Sequence, residues 1–220
     1  MKKKYQIFVS STYKDLINER AAAVNALLDM DFIPVGMEQF PSSPMKQWEY
    51  ITKMIDMSDY YLLILAGRYG SIDKESGLGY TEKEYQYAQE KGIPRIAFLH
   101  RDIGKIPMDK SAENDAEKQK LKEFRTLVEN DGIVNYFENE DELKAMIMKS
   151  VSKLATDCPR TGWIRADQIE SSIDKDKYLQ EIKELLEKLQ VNIAQQVEEL
   201  VPKWEPISKE DIDALFDKAN

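Results

Sequence analysis

One cysteine, Cys158, and one histidine, His100, stand among 220 residues. A single thiol excludes an intrachain disulfide framework and fits a reducing compartment. The same scarcity excludes a Cys-based or His-rich zinc site, and a Ser-His-Asp triad would have one imidazole to draw on. Long apolar runs are missing as well. The longest, Tyr60 to Ala66, falls far short of the roughly 20 residues that cross a bilayer, and the apolar stretch after Lys2-Lys3-Lys4 is too short for a signal-peptide core. Basic charge is in the minority: 31 Lys and Arg against 40 Asp and Glu leave a net charge of −9. Non-specific nucleic-acid binding, which needs clustered cations on phosphates, is disfavoured. The expectation is a cytoplasmic protein that engages neither membrane nor nucleic acid.

What is present is a soluble globular pattern, 42% hydrophobic and 32% charged. Short apolar runs alternate with amphipathic stretches, the mark of βα units. The runs place strands at Tyr5–Val9, Ile33–Gly36, Tyr60–Ala66, Arg95–Leu99 and Ile133–Phe137. The third, apolar throughout, reads as a central strand covered on both faces. Helical spacing marks Asp15–Met30, Met45–Met57, Thr81–Lys91, Glu117–Val128 and Asp141–Ala155. The fold class expected is α/β: a flavodoxin-like, open, mostly parallel five-stranded sheet with flanking helices, followed by a C-terminal helical extension. Any site belongs beyond the carboxyl ends of the strands. The pattern changes after Trp163, which divides the chain into an α/β domain over residues 1–166 and an extension over 167–220.

Within that extension, Asp174 to Leu200 reads as one long helix. Leu179, Ile182, Leu186, Leu189, Ile193, Gln196 and Leu200 keep 3-4 spacing, a heptad seam with one polar position. Docking on its own domain and oligomerisation both satisfy such a stripe. A short capped helix follows from Ser208 to Phe216.

Four loops should meet at the carboxyl edge. After strand one, Ser10-Ser11-Thr12 offers hydroxyls and backbone N–H groups to an anion, and ordinary capping by Ser11 or Thr12, with Asp15 as box partner, accounts for the same residues. After strand two the loop is long, and its Glu38 suits either a ribose hydroxyl or solvent. After strand three, Gly67-Arg68-Tyr69-Gly70 supplies a planar cation and an aromatic face between glycines, while an Arg–carboxylate brace serves Arg68 equally well. The loop after strand four holds His100 and Arg101, the histidine read as structural. The sharpest signal is Gly79-Tyr80-Thr81-Glu82-Lys83-Glu84 through Ala88 at a helix start. Thr81 and Glu84 have capping-box spacing. The pattern G-x-T-x-x-E-x-x-x-A is also similar to the nucleophile-bearing segment of nucleoside deoxyribosyltransferases.

Together, Phe8-Val9-Ser10-Ser11-Thr12 with Asp15-Leu16 and Glu19-Arg20, then Pro34 to Glu38, Gly67 to Gly70, and Tyr80-Thr81-x-x-Glu84-Tyr85 resemble the bacterial TIR-like family of unknown function, related to TIR NADases. Gly162-Trp163-Ile164-Arg165 is similar to the segment closing that domain. The resemblance covers roughly residues 4–166. It implies a flavodoxin-like TIR relative in prokaryotic antiphage defence, with a defence-system partner protein. It implies Glu84 as the catalytic carboxylate; in an enzyme, the loop residues Ser10, Ser11, Thr12, Glu38, Arg68, Tyr69 and Thr81 are those expected to hold the nucleotide. No cofactor is expected beyond NAD, the substrate.

Two classes of function remain open. One is an enzyme that cleaves or transfers the N-glycosidic bond of NAD or a related nucleotide, as an NAD glycohydrolase, an ADP-ribosyl-cyclase-like enzyme or a deoxyribosyltransferase-like enzyme. The other is a non-catalytic interaction module. A homo-oligomer built through the TIR-like domain and the 174–200 helix suits both.

Overall fold

The computed structural model describes residues 3–36, 46–167, 175–200 and 207–217. Five strands form one sheet in the order β2-β1-β3-β4-β5. They are β1 (Gln6–Ser11), β2 (Ile33–Val35), β3 (Tyr60–Leu65), β4 (Arg95–His100) and β5 (Val134–Phe137). Every pairing is parallel, with Ile7 opposite Tyr60, Leu62 opposite Ile96 and Ala97 opposite Val134. The helices between them are α1 (Ile17–Asp29), α2 (Gln47–Asp56), α3 (Tyr80–Glu90), α4 (Asp115–Asp131) and α5 (Glu140–Asp157). The order is the flavodoxin-like one, and it reverses beside β1.

Strand alternation builds the core on both faces. Tyr60, Leu62 and Ile64 join Ile7, Val9, Leu27 and Ile147 on one side. Tyr61, Leu63 and Leu65 join Phe8, Ile55, Ala88 and Phe124 on the other. All six residues of β3 are buried, as expected of a central strand.

Element ends move for local reasons. Asn114 and Asn139 cap α4 and α5, each accepting an N–H three residues on at 2.9 Å, so α4 begins before the expected Glu117. Ile133 is 95% exposed and stands outside β5. At the amino edge, Lys4 and Trp163 exchange backbone hydrogen bonds of 2.9 and 2.6 Å. Asp59 accepts from the Gln6 and Gly162 N–H groups at 2.9 and 3.0 Å.

The chain divides into compact units at residues 1–164 and 165–220. The second contains α6 (Lys175–Leu200) and α7 (Lys209–Asp217). Among the described residues, no helix is long and apolar enough to cross a membrane.

Candidate active site

The candidate site lies at the carboxyl ends of β1 and β3. Helix α3 buries Thr81, Glu84, Tyr85 and Ala88, the i, i+3, i+4, i+7 face that packs on the sheet. Glu84 therefore points its carboxyl into the core, where it is 2% exposed. The Ser10 hydroxyl at the end of β1 donates to Glu84 Oε2 at 2.5 Å. Glu84 Oε1 has no hydrogen-bond partner among the described residues. Burial pushes the Glu84 pKa from 4.5 up to about 7, against the opposing pull of the Ser10 hydrogen bond and the Arg20 charge.

The capping readings fail on geometry. Gly79 holds the N-cap position of α3, so Thr81 is already helical and Glu84 is occupied with Ser10. Leu16 precedes α1 without a side-chain cap, leaving Ser11, Thr12 and Asp15 in the turn above it. Ser11 is instead gripped by Arg20, whose Nη1 donates to its Oγ at 2.7 Å while Nη2 approaches the Val9 carbonyl at 3.4 Å. Arg20 is 5% exposed, a buried cation on the core face of α1. The Tyr61 hydroxyl is buried too. Its pKa is raised well above the usual value, first by burial and then by the Glu84 charge.

Over these groups lies a cleft of about 1070 Å³, whose lining includes Ser11, Thr12, Arg20, Arg68, Gly70 and Thr81. Gly70 makes the floor close: its φ is +91°, and a Cβ there would meet the Thr12 methyl at 2.8 Å. Asp15 lines the cleft as well, its pKa raised by burial and tempered by the Thr12 hydroxyl and the Arg68 charge. Lys14 and Lys120 add cations at the rim.

The expected site residues thus divide. Ser11, Thr12, Arg68 and Thr81 face the cleft, whereas Ser10, Tyr69 and Glu84 lie behind it. Arg68 also braces its loop, donating to Glu113 Oε1 at 2.8 Å and the Asp109 carbonyl at 3.1 Å. Tyr69 is 1% exposed and presents no open stacking face. Its hydroxyl accepts the Gly79 N–H at 2.9 Å and donates to Glu82 at 2.5 Å, pinning the start of α3. Glu38 lies outside the described residues. His100 packs its ring edge-on to Phe137, and Arg101 pairs with Glu138 and Glu142. Among the described residues, no three His, Cys, Asp or Glu side chains are grouped to hold a metal.

Arg20 and Tyr61 are site groups to which no motif gives a role, and Asp15, expected as a capping-box partner, lines the cleft instead. The available signal for Arg20 is its place between Leu16 and Ala23 on an otherwise apolar helical stripe.

No curated protein matches the chain. Among solved structures it is similar to the TIR domains of the activated Roq1 resistosome recognising the pathogen effector XopQ. There the identity is 11% over 67% of this chain and 99% of that one, with a TM-score of 0.48. It is also similar to the RPS4 and RRS1 TIR domain heterodimer, at 10% identity over 69% of this chain and 97% of that one, with a TM-score of 0.44. Residues 6–152, which hold the whole sheet and the groups around Glu84, match the family described as a domain of unknown function, DUF4062, and to that family this chain belongs.

Proposed function

We propose that the α/β unit binds NAD or a related nucleotide in the β1/β3 cleft and breaks its N-glycosidic bond, with Glu84 as the reacting carboxylate. One observation carries this reading. A fully buried carboxyl sits beside the cleft with one oxygen fixed by Ser10 and the other unpartnered. An unsatisfied carboxylate in a dry setting is strongly attracted to the positive charge that develops on an anomeric carbon. The C1′–N bond breaks with its electron pair passing to the pyridinium nitrogen, and nicotinamide leaves neutral without a general acid. Water then attacks C1′ and its proton passes to Glu84 or solvent, giving ADP-ribose. A hydroxyl in place of water gives transfer or cyclisation.

The other residues fall into supporting roles. Ser11 and Thr12 hydroxyls and the Arg68 guanidinium suit the pyrophosphate. Thr81, one turn before Glu84, lines the cleft in front of the buried carboxyl, and the reaction requires this wall to part so that the sugar meets Glu84. Ser10 and Tyr69 act at one remove, through Glu84 and through Gly79, and Glu38 is retained for a ribose hydroxyl. The setting we propose is cytoplasmic antiphage defence with a partner protein, on the family resemblance alone.

A second reading, a non-catalytic interaction module, is favoured by the same hydrogen bond, since Ser10–Glu84 also ties β1 to α3. Nicotinamide release by purified protein, measured beside Glu84→Gln, separates the two. Release by the wild type and not by the variant supports the enzyme. Equal release removes Glu84 from the reaction, and none from a folded, assembled protein given NAD and related nucleotides favours the module.

A further inference from the structure

Helix α6 runs for 26 residues, about 39 Å at 1.5 Å per residue. Large apolar side chains along it stand in water: Leu179, Ile182, Leu186, Leu189 and Ile193 are each more than half exposed. They occupy the a and d positions of consecutive heptads, with Gln196 completing the third d position. Such a stripe is stable only when something covers it.

Its width says how many helices do so. In a two-stranded coil the flanking e and g positions stay wet and are commonly Glu or Lys. Here the g positions are Tyr178, Leu185 and Asn192, and the e positions are Lys183, Gln190 and Val197. Leu185 at 60% and Val197 at 50% exposure would remain in water in a dimer. The charges Glu181, Glu184, Glu187 and Lys188 lie on the opposite face, where Val191 is the one large exposed apolar side chain among the described residues. In the first heptad, Leu179 at a with Ile182 at d also favours more than two strands.

Gln196 says what the occupant is. A covered amide needs both a donor and an acceptor, and another amide supplies them. Parallel copies in register set Gln196 against Gln196. An antiparallel arrangement pairing Leu186 with Leu189 sets Gln196 against Leu179 and leaves the amide unpaired. We propose that α6 gathers three or more copies of this chain into a parallel, in-register helical bundle with Gln196 as its polar layer. The inference is independent of the chemistry in the cleft.

Sedimentation of the full chain at micromolar concentration tests the number. Three or four chain masses are expected, and a monomer or dimer overturns the proposal. Leu186→Asp with Leu189→Asp should give monomers whose α/β unit melts at the unchanged temperature, so that dispersal is not mistaken for unfolding; continued assembly of that variant overturns the proposal. Orientation is read by oxidation in a Cys158→Ser background. Leu179→Cys alone should cross-link efficiently, because a parallel bundle brings that position against itself. An antiparallel pair holds the two sulfurs roughly 25 Å apart. Failure of Leu179→Cys to link, with efficient linking of Leu179→Cys to Gln196→Cys, overturns the parallel arrangement.

Discussion

The Ser10 hydroxyl and the Glu84 carboxylate meet at 2.5 Å inside the core, joining the carboxyl end of β1 to the middle of α3. This is an acid stored out of water, and its burial has consequences for both stability and chemistry.

Glu84→Gln should stabilise the fold in alkali. The folded state holds the Glu84 proton up to about pH 7, whereas the unfolded chain releases it near 4.5. Stability therefore falls as pH rises between those values, by up to about 3 kcal/mol, and stays low above them. Glutamine does not ionise. Urea titrations at about pH 8 should find the variant the more stable protein, and the gap should close below about pH 4.5. A wild type that is no less stable in alkali would place the carboxyl in water.

The proposed cleavage needs the carboxylate form. Nicotinamide release should rise with pH through about 7 and level off above it. A rate already flat at pH 5 would assign the reaction to another group.

Arg20→Gln removes the cation that lowers the Glu84 pKa, together with the 2.7 Å hydrogen bond to Ser11. The rise in the pH–rate profile should move to higher pH, and the fold should lose about 1–3 kcal/mol. Arg20→Lys should restore part of the profile. An unshifted midpoint in Arg20→Gln would show that the charge does not reach Glu84.

Gly70→Ala places a methyl 2.8 Å from the Thr12 methyl and forces a side chain onto a φ of +91°. The expected cost exceeds about 1 kcal/mol, with loss of nucleotide binding, because the strand-end loops must part. Thermal melting and calorimetric titration with NAD read the two effects separately.

Tyr69→Phe leaves the Gly79 N–H without its acceptor at the start of α3. Destabilisation of about 1–3 kcal/mol is expected. Aromatic stacking on a ligand would survive this substitution, so a loss of turnover together with the loss of stability identifies the hydroxyl as a brace.

Strands were legible because burial on two faces writes itself as continuous apolar sequence, most plainly in β3. The open, parallel five-stranded sheet followed from the alternation of those runs with helical spacing. The polar core was harder to read. Thr-x-x-Glu at a helix start has the same letters whether the glutamate bends back to the backbone or turns inward. The choice was made by Gly79, which starts α3 before Thr81 and rotates Glu84 onto the face packed against β1. Arg20 was hidden similarly, since a charge on an amphipathic helix suggests solvent until a buried hydroxyl such as Ser11 stands opposite. Tyr69 sits among loop glycines, where an aromatic ring suggests a ligand platform, yet α4 closes over it through Phe124.

The exchange of hydrogen bonds between Lys4 and Trp163 closes the α/β unit at the amino edge of its sheet, the side away from the cleft. The polypeptide thus arrives and departs at neighbouring points. A unit with that geometry is a cassette. It can be spliced into a surface loop of another protein, or given new ends elsewhere, without stretching any strand.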